Sequence, residues 1–84
     1  MTVFVKTMSG KIRPLQVDSH STTVFDLKKT IEEEEGIQAE HQRMIYSGHE
    51  LNQENMTLGE YNIKPDSAIY LILRLYGGKY NNTT

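Results

Sequence analysis

The stretch Thr23-Val24-Phe25-Asp26-Leu27-Lys28-Lys29-Thr30-Ile31-Glu32-Glu33-Glu34-Glu35-Gly36 decides the architecture of this chain. Val24, Leu27 and Ile31 recur at the spacing of one helical face, so the stretch predicts an amphipathic helix. Thr23 offers a hydroxyl to an early unpaired N–H, and Asp26 three residues on is an aspartate version of the capping box. Gly36 is the left-handed stop that ends the helix. The four consecutive glutamates lie at the C-terminal end, where the helix dipole disfavours negative charge. Lys28 and Lys29 are placed to pair with Glu32 and Glu33, and the acidic run reads as a solvated helix end. Phe25 falls off the apolar stripe, on the outer side of the helix. It either staples the preceding loop to the helix or offers a contact to a partner.

Segments of two-residue periodicity surround the helix. Thr2 to Thr7 alternates, with Val3 and Val5 on one side and Phe4 and Lys6 on the other, as in a half-buried strand. Met8-Ser9-Gly10-Lys11 is a turn, and Ile12 to Val17 is a second strand forming an antiparallel hairpin with the first. Pro14 lacks an N–H, which puts that strand at a sheet edge. Arg13 falls where an apolar residue is expected, so the edge reads as loose or shifted. Asp18 to Thr22 is a polar linker. Gln42 to Ser47 alternates again, with Met44 and Tyr46 opposite Arg43 and Ile45. After the turn Ser47-Gly48-His49, Glu50-Leu51 is a very short strand. A helical turn falls near Thr57–Tyr61, anchored by Leu58, Tyr61 and Ile63. Lys64-Pro65-Asp66-Ser67 is a turn. Ala68 to Leu75 is the last strand, with Ile69, Leu71 and Leu73 opposite Tyr70, Ile72 and Arg74.

One helix cannot cover both faces of a sheet. The pattern therefore predicts an α+β fold, a mixed sheet packed on one face by one main helix. The predicted core is Val3, Val5, Leu15, Val17, Val24, Leu27, Ile31, Met44, Leu51, Leu58, Ile69, Leu71 and Leu73. A chain of 84 residues makes one small domain. It contains no cysteine, which excludes disulfides, thiolate metal sites and a thiol nucleophile and fits a reducing compartment. A net charge of −2 argues against a general grip on nucleic acid, which needs a concentrated basic face. No apolar stretch approaches a membrane span, and the N-terminal residues lack the apolar run of a signal peptide. Asp18-Ser19-His20 has the residue types of a hydrolase triad, but consecutive residues cannot take up its geometry. His20, His41 and His49 lack metal-ligand spacing, so no metal, cofactor or catalytic group is expected.

The last strand runs into Leu73-Arg74-Leu75-Tyr76-Gly77-Gly78, followed by the polar tail Lys79-Tyr80-Asn81-Asn82-Thr83-Thr84. The glycine pair is either a plain flexible exit or a working end. Lacking Cβ atoms, it threads a slot too narrow for other residues, and a cut after Gly78 would leave an unhindered carboxylate.

Phe4-Val5-Lys6-Thr7, Gly10-Lys11, Glu35-Gly36-Ile37, Gln42-Arg43-Met44-Ile45, Tyr61-Asn62-Ile63 and Leu73-Arg74-Leu75 through Gly78 stand in the order and nearly the register of ubiquitin, so the chain resembles the ubiquitin family over residues 1–78. The resemblance implies the β-grasp fold, with 79–84 a disordered extension. It implies a modifier rather than an enzyme, processed after Gly78 and conjugated through the carboxylate on the Gly77-Gly78 arm to target lysines. The implied partners are activating, conjugating and ligase enzymes, a processing or deconjugating hydrolase, and ubiquitin-binding domains. No nucleic acid or membrane partner is implied, and the expectation is a monomer in cytoplasm and nucleus.

The resemblance also assigns sites. Met8, Ile45, Tyr70 and Ile72 match the family's main docking patch, with Tyr70 standing where ubiquitin has histidine. Arg43, Arg74 and Tyr76 match positions that dock the activating enzyme. Arg74 is as in ubiquitin rather than its cullin-modifying relative, whereas Tyr76 replaces an arginine and removes a charge. Lys6, Lys11 and Lys28 match chain-acceptor lysines. Thr30, Glu34, His49 and Pro65 replace the other four, which makes the linkages at His49 and Pro65 chemically unavailable. Lys29 and Lys64 are extra lysines displaced by one residue. The alternative reading is a binding module that is never conjugated, or a domain of a longer polypeptide; a purely structural role stands third.

Overall fold

A computed structural model describes residues 1–73 of the chain. Its elements are β1 (Thr2–Lys6), β2 (Ile12–Gln16), α1 (Val24–Glu35), a short 3₁₀ turn (Ala39–His41), β3 (Gln42–Tyr46), β4 (His49–Glu50) and β5 (Ala68–Leu73). The strands form one sheet in the order β2-β1-β5-β3-β4. β1 and β5 run parallel, and the other neighbours are antiparallel. This is the mixed sheet with one main helix that the sequence predicts, and β2 lies at the edge as Pro14 requires.

Helix α1 begins as its sequence dictates. The Asp26 N–H donates to Thr23 Oγ1 at 3.1 Å, and the Thr23 N–H donates back to Asp26 Oδ2 at 3.0 Å. Two further first-turn donors find carbonyls in the 54–56 segment, Val24 N–H on Met56 and Phe25 N–H on Glu54, each at 3.0 Å. These bonds satisfy groups that a helix start leaves open, and they tie the long 52–63 connection to it. Gly36 takes φ 77° and closes the helix on the Glu32 carbonyl. A second reciprocal cap, between Thr57 and Glu60, organises the helical turn expected there.

Val24, Leu27 and Ile31 are fully buried against Val3, Val5, Leu15, Met44, Ile69 and Leu71, with Leu51, Leu58 and Ile63 closing the core. Each buried aliphatic side chain is worth about 1.5–3 kcal/mol of transfer free energy. Gln42 is the polar member of this layer. Its side-chain amide donates to the Lys28 and Ile37 carbonyls, both at 2.9 Å, so β3 is clipped to the helix and to the segment after it.

Several expectations are corrected. Val17 is only half-buried, because β2 ends at Gln16. Leu73 is exposed: it stands opposite Gln42 at the sheet's end, beside Met8 and Ile37 rather than under the helix. Ile63, expected only as an anchor, is core, and β4 is His49–Glu50 with Leu51 buried beyond it. Leu75 and the final residues lie outside the described part, as does the 79–84 extension. The acidic helix end is not simply solvated. Lys11 Nζ lies 3.2 Å from Glu35, and the Arg13 guanidinium binds both Glu34 and Glu35. Arg13 therefore faces the helix in regular register opposite Val5, and the edge is neither loose nor shifted. Hydrogen bonding to Glu34 raises its pKa above the ordinary arginine value. Lys29 pairs with Glu32 at 2.7 Å, one residue short of Glu33, and Lys28 turns to Glu54 at 3.0 Å.

The cap gives a direct test of the helix start. Thr23→Ala should lose about 1 kcal/mol of stability in chemical denaturation, and Thr23→Ser should retain most of it.

Candidate functional site

Strand register places Phe4, Lys6, Ile12, Pro14, Arg43, Ile45, Glu50, Ala68, Tyr70 and Ile72 on the sheet face away from α1. No helix among the described residues covers that face. At its centre Ile45 lies directly opposite Tyr70, and Arg43 opposite Ile72. Directly opposed side chains stand within about 5.5 Å at their Cβ atoms. Ile45, Tyr70 and Ile72 therefore form one contiguous apolar row, with Tyr70 49% exposed. A contiguous exposed apolar area on a small domain marks a contact surface more often than scattered hydrophobes do.

Charged groups border the row on both sides. Lys6 is the parallel-register neighbour of Tyr70, and its Nζ sits 5.4 Å from the ring centroid, within cation–π range. Arg43 makes a two-pronged pair with Glu50, Nε to Oε2 at 3.3 Å and Nη2 to Oε1 at 3.0 Å. That hydrogen bonding raises the Arg43 pKa above its ordinary value. Arg43 is therefore held in place and partly neutralised by Glu50. The surface suits a partner with an apolar anchor and acidic groups near Lys6.

Met8 lies beyond the end of β1 in the turn from Thr7 to Lys11 and is 73% exposed. It lines a hollow of about 300 Å³ with Ile37, Leu71 and Leu73 at the sheet's end. Arg74, Tyr76, Gly77 and Gly78 lie outside the described residues. Of the matched lysines, Lys6 is engaged by Tyr70 and Lys11 by Glu35, while Lys28 is buried against Glu54.

Other sequence features resolve into structural roles. Asp18 organises a turn: its Oδ1 accepts the His20 N–H at 2.8 Å and its carbonyl accepts from Ser21 and Thr22. Phe25 is 45% exposed and borders a shallow hollow with Lys29, Glu32 and Ala39. Alternation placed Lys6 on the outer side, but its contact with Tyr70 was missed in the sequence, as were Glu50 and Ile12 as members of the open face. Lys6 and Glu50 gain their roles only from strand neighbours distant in sequence. Ile12 was readable, since alternation with Leu15 puts it on the outer side, where it is 52% exposed.

Comparison with known proteins gives a concordant result. A sequence model described as the ubiquitin family matches residues 3–76. NEDD8-like protein RUB3 of Arabidopsis thaliana is 36% identical over 78 residues, spanning 93% of this chain and 97% of the relative. Ubiquitin-like protein NEDD8 of Dictyostelium discoideum is 33% identical over 93% of this chain and 99% of its own length. E3 ubiquitin-protein ligase parkin of Rattus norvegicus is 32% identical over 74 residues, 88% of this chain but 16% of that protein.

The opposed orientations of neighbouring β3 residues are testable. Met44→Ala, on the core side, should cost about 2–5 kcal/mol in chemical denaturation. Ile45→Ala, on the open side, should cost no more than about 1 kcal/mol. Equal losses would contradict the register.

Proposed function

The chain belongs to the ubiquitin family, and on that premise we propose that it is a protein modifier conjugated through Gly78. A hydrolase removes Lys79–Thr84. An activating enzyme adenylates the Gly78 carboxylate with ATP and takes it onto a cysteine as a thioester. A conjugating enzyme receives it, and a ligase directs it to a target lysine amine. This chain contributes no catalytic group. It supplies the carboxylate, a slim Gly77-Gly78 arm and a docking face, and it acts as a monomer in cytoplasm and nucleus without nucleic acid or membrane partners.

The observation that carries this reading is the row of Ile45, Tyr70 and Ile72 on the sheet face opposite the helix. Two of the three lie on β5, the strand that leads into Arg74 and the glycine pair. Recognition would then sit on the strand that precedes the reacting residues in the chain. Receptors would anchor on the apolar row, with Met8 extending the contact at the sheet's end. Arg43, Arg74 and Tyr76 would address the activating enzyme. An interface of this size gives weak, reversible binding.

The similarity to parkin favours a second reading, because there the matched region is a small part of a long chain. On that reading the domain binds partners through the same face and Gly78 is never freed.

The two readings separate by mass spectrometry after incubation with ATP and lysate from the protein's own source. The modifier should lose Lys79–Thr84, form a thiol-sensitive adduct at Gly78, and appear on target lysines. Tyr76 makes those conjugates recognisable. Trypsin cuts after Arg74, so each modified lysine should carry Leu-Tyr-Gly-Gly. An intact chain, in a lysate that processes a control precursor, would contradict the modifier reading. Under either reading Ile45→Ala should weaken receptor binding at least about tenfold, as expected for a central interface anchor.

A further inference from the structure

We propose that the outer side of α1 carries a second docking site, centred on Phe25, for an arginine side chain on a peptide segment of another protein. The inference goes beyond the conjugation reading and does not rest on it. Phe25 is the large apolar residue of α1 that the buried stripe leaves outside, and it is 45% exposed. Helix spacing puts Lys29 and Glu32 on the same side, four and seven residues on. The Phe25 ring borders a shallow hollow of about 420 Å³, where Ala39 from the 3₁₀ turn and Glu54 from the 52–63 connection meet the helix. Glu32, Glu40 and Glu54 stand around that hollow.

The surroundings of the ring favour positive charge. Lys29 Nζ lies 2.7 Å from Glu32, and Lys28 Nζ lies 3.0 Å from Glu54. Hydrogen bonding to Glu32 raises the Lys29 pKa above the ordinary lysine value, and the charges of Glu32 and Glu33 act in the same direction. The Glu40 side chain is 64% exposed, with His41 Nε2 at 3.6 Å, and the Glu54 side chain is 44% exposed. Both carboxylates are therefore accessible to a donor arriving from solvent. Four carboxylates, Glu32, Glu33, Glu40 and Glu54, thus stand near the ring against two lysines.

An exposed aromatic ring bordered by carboxylates suits a guanidinium better than an ammonium. The guanidinium plane stacks on the ring while its fork reaches a carboxylate through two parallel N–H bonds. An ammonium is a compact, strongly hydrated point charge without that fork. The site is also held ready across two chain segments. The Phe25 N–H donates to the Glu54 carbonyl at 3.0 Å, and Lys28 anchors the Glu54 carboxylate. Ring and acid thus keep their spacing before any partner arrives. A hollow this shallow does not enclose most of a small molecule as metabolite pockets do, but it admits one side chain with its backbone alongside. This side of α1 faces away from the sheet, so an occupant here leaves the Ile45–Tyr70–Ile72 row uncovered. One copy of the chain then holds two partners at once.

The test is an amide chemical-shift titration of the labelled full chain with the capped peptide Gly-Ala-Arg-Ala-Gly. Matched peptides carry lysine or citrulline at the centre. The arginine peptide should bind with a dissociation constant on the order of 1 mM, as a contact with one anchor does. Its largest shifts should fall on Phe25, Lys29, Ala39 and Glu54. Citrulline has nearly the same shape without the charge and should bind at least about tenfold more weakly. The lysine peptide should fall between the two. Phe25→Leu keeps an apolar side chain but removes the ring, and should weaken the arginine peptide about two- to fivefold. Glu40→Gln should weaken it by up to about fivefold. Both positions are exposed, and unchanged shifts in the core will show that each variant is folded. Equal binding of the arginine and citrulline peptides would overturn the proposal, as would an affinity that Phe25→Leu leaves unchanged. Shifts that follow residues 33–35 or the open sheet face instead would count against it equally. So would the absence of saturable shifts at peptide concentrations well above millimolar.

Discussion

The rest of the structure depends on one burial: the Val24–Leu27–Ile31 stripe of α1, the one α-helix among the described residues, against one face of the sheet. That contact supplies the largest apolar layer in a chain too small for a second one. It also determines what is left over. Among the described residues no second helix covers the other face of the five-stranded sheet, and side chains there are under no packing demand from one. Ile45, Tyr70 and Ile72 occupy that face although polar residues would be cheaper in solubility. The helix thus explains by exclusion where the molecule is free to bind.

Charge supports the same arrangement from the helix's other end. Four glutamates in a row at a helix C-terminus oppose the dipole. Lys11 and Arg13 approach from the hairpin and neutralise two of them. The pairing orients β2 against the helix and resolves a position that looks wrong in the sequence. It also engages Lys11, as Glu54 engages Lys28, so ion pairs tie down the periphery of the helix.

Much of the fold was legible because its signals are local. Helix α1 announces itself by its stripe, the Thr23–Asp26 cap and Gly36, and the strands by alternation and the edge proline. The errors arose where distant residues decide. Arg13 was misjudged because its partners lie on the helix, and Lys28 because its partner lies in the 52–63 connection. Leu73 follows the alternation perfectly, yet the helix does not reach far enough to cover it. The open face was half legible: alternation aligned Ile45, Tyr70 and Ile72, but Lys6 over Tyr70 and Glu50 on Arg43 arise only from sheet pairing. Residues 74–84, which carry the proposed chemistry, are read from sequence alone.

On the proposed reading, a bare sheet face recognises partners and the strand that forms part of it delivers a carboxylate. The most direct measurement is amide chemical-shift mapping of the labelled protein titrated with a ubiquitin-binding domain. The account predicts that the largest shifts fall on Lys6, Arg43, Ile45, Tyr70 and Ile72, with the helix unaffected. Shifts concentrated around Phe25, Lys29 and Ala39, with the sheet face silent, would contradict it.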